Sequence, residues 1–91
     1  MIYRIVTYDK ATERMRASMR VPPSLLEQVK KVAGVHPQDD GLGEYPLDDA
    51  QTRELGRVLG FGPMPDLFYY YFEPYEPTEH DGLEQPQAEA R

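Results

Sequence analysis

Carboxylates are plentiful in this chain, 16 of them, but no pair stands out as an acid–base couple, and histidines and serines are few and scattered. His36 stands near Asp39 and Asp40 in the turn-rich stretch Val35-His36-Pro37-Gln38-Asp39-Asp40-Gly41-Leu42-Gly43-Glu44. Imidazole and carboxylates bind metals or move protons near neutral pH. A metal site wants several such ligands at helix or strand spacing. Here a single histidine precedes a proline, and the second, His80, lies far along the chain. The acidic run does not match a calcium-binding EF-hand loop either. That loop needs oxygen ligands at alternating positions, then a fixed glycine and a closing glutamate. Gly41-Leu42-Gly43 has no strand immediately before it and no third glycine opening a helix, so it is not a dinucleotide fingerprint. Ser18 and Ser24 are not flanked by the glycines of a nucleophile elbow. The chain has no cysteine, which removes thiolate nucleophiles, zinc–thiolate sites and disulfides together. An enzyme or metal-dependent accessory would have to rest on His36 and the acidic loop. The expectation is of no catalytic residues, no cofactor and no metal.

The stronger signal is for contact. Leu67-Phe68-Tyr69-Tyr70-Tyr71-Phe72 is a run of large apolar and aromatic residues, types that favour a strand. Alternate side chains of a strand point to opposite faces. Leu67, Tyr69 and Tyr71 therefore face one way and Phe68, Tyr70 and Phe72 the other, and both faces want cover. A second stretch alternates Arg14, Arg16, Ser18 and Arg20 with Met15, Ala17, Met19 and Val21, as a half-buried strand with a basic outer face does. Arginine and aromatics together are the types enriched in protein interfaces. The candidate interface is Arg14, Arg16, Arg20, Phe68, Tyr70 and Phe72. The same pairing resembles a platform for single-stranded RNA, where bases stack on rings in a basic groove. A net charge of −6 opposes that reading, so nucleic acid is not the expected partner.

The elements that must carry these side chains can be read in order. Ile2 to Tyr8 is rich in β-branched and aromatic residues and predicts a strand. Asp9 to Glu13 is a polar hairpin loop, and residues 14–21 return as the second strand. A five-residue loop sets Tyr3, Ile5 and Thr7 beside the methionines; the other register would force Arg4 toward the core. Pro22-Pro23 ends that strand and opens a helix over Ser24–Ala33, with Leu25, Leu26, Val29, Val32 and Ala33 at helical spacing. Gly34 stops it. Asp48, with Gln51 three residues on, is a capping-box start for a second helix, and Gly60 closes it. The proline-rich turn Phe61–Asp66 leads into the aromatic strand. The order β-β-α-α-β predicts an α+β fold: a three-stranded antiparallel sheet with two helices packed on one face. Two short helices can shelter one face of such a sheet, leaving the other bare.

Ninety-one residues make one domain, here residues 1–77. Residues 78–91 are acidic and poor in large apolar side chains, the composition of a disordered tail. The front of the chain is basic and its back acidic, which folding can neutralise internally. Met1-Ile2-Tyr3-Arg4 does not open a secretory signal, and no apolar run approaches the roughly 18 residues of a membrane helix. A cytoplasmic location and no membrane contact are expected.

With Glu44-Tyr45-Pro46-Leu47, a capped helix, and Tyr69-Tyr70-Tyr71-Phe72-Glu73-Pro74-Tyr75 in place, the chain resembles a group of short uncharacterised bacterial proteins. These share a tyrosine-rich N-terminal hairpin and a C-terminal aromatic strand. The resemblance covers roughly residues 2–76 and implies a fold, with Tyr45-Pro46-Leu47 as a helix start. It implies no activity. The expected function is a small non-catalytic module that binds a protein partner or forms a homodimer. An acidic inhibitor or immunity-type protein for a basic partner is the nearest alternative.

Overall fold

The computed structural model describes residues 2–75. The expected boundary at residue 77 and the acidic segment 78–91 lie outside the described residues. Two strands come first, β1 (Ile2–Asp9) and β2 (Met15–Arg20). A 3-10 turn over Pro23–Leu25 leads into α1 (Leu26–Ala33). Then come β3 (Tyr45–Leu47), α2 (Asp49–Leu59) and β4 (Phe68–Tyr75). The fold is α+β, with one antiparallel four-stranded sheet in the order β2-β1-β4-β3.

The hairpin has the register that keeps Arg4 out of the core. Ile5 lies opposite Met19 and Thr7 opposite Ala17. The Asp9 carboxylate holds the loop by accepting from the Ala11 and Thr12 N–H groups at 2.8 and 3.1 Å. The pairing then slips between Thr7 and Tyr8, so that Tyr8 meets Met15 and Arg16 is the extra residue of a bulge. Met15 consequently loses its place in the inward series and is exposed.

Both helices end in left-handed glycines, Gly34 and Gly60, each with φ 82°. α2 starts on the reciprocal cap read from Asp48 and Gln51. The Gln51 N–H donates to the Asp48 carboxylate at 2.8 Å, and the Asp48 N–H donates to the Gln51 side chain at 2.8 Å. Gln51 also ties the two helices, since its Nε2 donates to the Val32 carbonyl at 3.0 Å.

The three-stranded expectation is corrected by β3. Tyr45-Pro46-Leu47 is not a helix start but a short edge strand, with Tyr45 opposite Phe72 and Leu47 opposite Tyr70. Three residues carry too little alternation to announce a strand; the pairing that makes them one is with a distant part of the chain. Proline is tolerated there because an edge strand has one side without a ladder.

β4 is one of two inner strands, paired along its length with β1 and near its middle with β3. It runs on through Pro74 to Tyr75. Tyr3 accepts from Val21 at 2.8 Å, so its backbone polar groups face β2. Its partner across β4, Pro74, is then a position whose N–H would point away from β1, and β3 has already ended. The missing donor costs nothing there.

The core lies between the helices and one sheet face. Tyr3 and Ile5 from β1, Tyr70 and Phe72 from β4, Val29 and Ala33 from α1, and Leu55 from α2 form one cluster. The Tyr3 and Phe72 rings stack at 5.1 Å, nearly parallel.

Candidate functional site

The pleat sends Arg4, Val6 and Tyr8 of β1, and Tyr69, Tyr71, Glu73 and Tyr75 of β4, to the face opposite the core cluster. Among the described residues neither helix packs there. Val6 is fully buried at its centre without joining the helix-side cluster. Around it the side chains are organised. The Arg4 guanidinium donates through Nη2 and Nε to Glu73 Oε2 at 2.8 and 3.0 Å. It also lies 4.4 Å from the centre of the Tyr75 ring. The Tyr8 and Tyr71 rings meet edge to face at 5.6 Å, and the Lys10 ammonium sits 5.2 Å from the Tyr69 ring centre. These contacts place aromatic edges and faces beside cations, the favoured electrostatic arrangement.

Three of the predicted interface residues are not on this surface. Phe72 is 0% exposed and Tyr70 6%, both inside the core cluster, and Phe68 packs against it. Phe72 stands opposite Ile5 on one side and Tyr45 on the other, so all three share the face that the helices cover. The division of the aromatic strand into two sets was legible from alternation. Which set meets the helices was not, because it depends on the pairing of β4 with β1. The outward set is Tyr69 and Tyr71, with Tyr69 46% exposed. Arg14, Arg16 and Arg20 are exposed and lie on or beside the β2 edge; Arg20, opposite Arg4, shares the helix-free face, whereas the slip at Arg16 takes Arg16 out of it. The bulged Arg16 leans toward the helix side, 5.5 Å from the Phe68 ring centre and 3.9 Å from Asp9. Arg4, Tyr8, Lys10, Tyr69, Tyr71 and Tyr75 were missed as site residues. The chosen hairpin register, which already turned Arg4 away from the core, could have found Arg4 and Tyr8; the outward tyrosines of β4 carried no such signal.

Glu73 is engaged by Arg4 and is not presented as a base. Burial first, and then the negative charge of Glu73, push the Tyr8 phenol above its ordinary value. It stays a neutral hydroxyl, able to donate and to accept.

The acidic loop is occupied with its own backbone. His36 Nδ1 accepts from the Gln38 N–H at 3.1 Å. Asp39 accepts from Gly41 and Asp40 from Leu42, each at 2.9 Å. Among the described residues no three His, Cys, Asp or Glu side chains are grouped as metal ligands. Asp39 is held below the usual carboxylate range by the Gly41 N–H and then by the Tyr45 hydroxyl. The same bond from Tyr45 to Asp39 pushes the phenol up to about 12. In an ultraviolet titration of phenolate, Tyr45 should therefore ionise late, and Asp39→Asn should return it toward 10.0. The folded value lies above the unfolded one, so on the alkaline side the stability this bond contributes is present below pH 10.0 and is lost as pH rises toward about 12; because Asp39 is held low, it is also lost when acid protonates that carboxylate.

The fold is that of a small α+β protein in which the helices cover one sheet face and a ring-lined face lies opposite them. The chain belongs to the family described as a domain of unknown function, DUF7683, whose model matches residues 2–73. That span takes in every strand and helix described above, apart from the last two residues of β4. No curated protein and no solved structure matches the chain. Among the described residues no helix is long and apolar enough to cross a membrane.

Proposed function

We propose that the protein is a non-catalytic binding module that associates through the helix-free sheet face, and that its partner there is a second copy of itself. The observation that carries the reading is the pair of outward tyrosines, Tyr69 and Tyr71, on an inner strand whose other side is already buried. Tyrosine supplies large contact area with little side-chain entropy to lose, together with a hydroxyl that pairs at an interface. The face also suits its own likeness. Its inner charges, Arg4 and Glu73, neutralise each other, so two such faces can meet although each chain carries a net charge of −6. Two sheets packed in this way sit about 10 Å apart with interleaved side chains.

Light scattering after size exclusion, over a dilution series, tests the reading. The chain has a mass of 10.5 kDa. The expected result is twice that mass at high concentration, falling to one chain on dilution. The double substitution Tyr69→Glu and Tyr71→Glu is expected to give a folded monomer throughout. A compact natural monomer at every concentration would remove self-association through this face.

A further inference from the structure

β2 is an edge of the sheet, paired among the described residues only with β1. Its phase follows from one hydrogen bond. The Val21 N–H donates to the Tyr3 carbonyl at 2.8 Å, and Met19 stands opposite Ile5 in the same ladder. Residues of an antiparallel strand alternately face the neighbouring strand and turn away from it. Val21, Met19 and Ala17 therefore direct their backbone polar groups to β1. Ser18 and Arg20 turn theirs outward, where they can template a further strand.

The side chains beside this edge state what kind of strand fits. Among the described residues Arg14 and Arg20 form no ion pair, and Arg16 reaches only Asp9, at 3.9 Å. Pairing β2 with the β2 of another copy would bring these arginines against their own kind. An acidic strand would meet them instead. On the helix side of β2 lies a groove of about 330 Å³, with Ile5, Arg16, Ala17, Met19, Phe61 and Phe68 among its lining residues. An added strand that alternates acidic and apolar residues would carry its carboxylates past Arg20 on one face. Its apolar side chains would enter the groove on the other.

We infer that the β2 edge takes an extended acidic–apolar segment of another protein as a fifth strand, hydrogen-bonded to Ser18 and Arg20. Ser18 and Arg20 send their side chains to the tyrosine face, opposite Val6 and Arg4, so the two proposals are told apart by the readout: chain mass for self-association, peptide anisotropy for the added strand.

The test uses the full chain and a fluorescent peptide of alternating glutamate and valine, followed by anisotropy. Saturable binding is expected, weakening at least tenfold as salt is raised. A lysine–valine peptide of the same length should not bind. Ser18→Pro removes an outward N–H without touching the ladder to β1, and should abolish binding while the circular dichroism spectrum is kept. Arg20→Glu should weaken binding at least tenfold and provides a second variant should the proline disturb folding. Slowed hydrogen exchange at the Ser18 and Arg20 amides on adding peptide would support the added strand directly. Absence of saturable binding, or binding indifferent to both substitutions, overturns the proposal. So does a chain with Glu76, Glu79, Glu84 and Glu89 changed to glutamine that binds peptide when the natural chain does not. That result would assign the edge to the protein's own acidic residues.

Discussion

Phe72→Ala should cost about 3–5 kcal/mol of folding stability, the range for removing a fully buried phenylalanine. The ring is 0% exposed and stacks on Tyr3 at 5.1 Å. It also meets Tyr45 at 6.1 Å, so three strands of the sheet lean on it. Total stabilities of domains are about 5–15 kcal/mol, so the loss is a large part of the whole. Urea denaturation followed by far-ultraviolet circular dichroism measures it. Tyr71→Ala, one residue away on the opposite face, should cost much less, because that ring is half-exposed and outside the core cluster. The contrast separates a core role from an interface role for the aromatic strand. Equal losses at the two positions would mean that the outer face is as firmly packed as the inner one, and the binding proposal would lose its surface.

Glu73→Ala should be the next most damaging single change described here, at about 3 kcal/mol, near the low end for removing one member of a buried ion pair. The Glu73 side chain is 8% exposed and that of Arg4 22%, so water can reach part of the stranded guanidinium and soften the loss. Without its carboxylate, Arg4 keeps the Tyr75 ring at 4.4 Å and a 3.5 Å contact with the Ser18 hydroxyl. Neither replaces a charge-assisted pair of bonds. Replacing both partners, Arg4→Met with Glu73→Leu, should recover most of the stability, since an apolar pair of similar volume avoids the desolvation that burying the charges requires. A double-mutant cycle by urea denaturation reads the coupling directly. Coupling near zero would mean that the pair is only an exposed contact of little worth.

How much of this was legible beforehand divides by the range of the interaction. The stop at Gly34, the cap formed by Asp48 and Gln51, and the split of the aromatic run into two alternating sets all depend on residues within one or two turns of each other. The hairpin register was also readable, since a short loop and the cost of burying Arg4 leave one choice. The bulge at Arg16 was not, because nothing in its neighbours marks an extra residue. Nor was β3, whose strand character comes from Phe72 and Tyr70 standing beside it.

The candidate site divides in the same way. The amino-acid sequence alone determined that some residues of the aromatic strand must be inward and others outward. Only the tertiary structure decided which set is which. A strand looks the same from both sides until another strand fixes its register and a helix chooses a face. Here the helices chose Phe68, Tyr70 and Phe72, and Tyr69 and Tyr71 were left facing away from them.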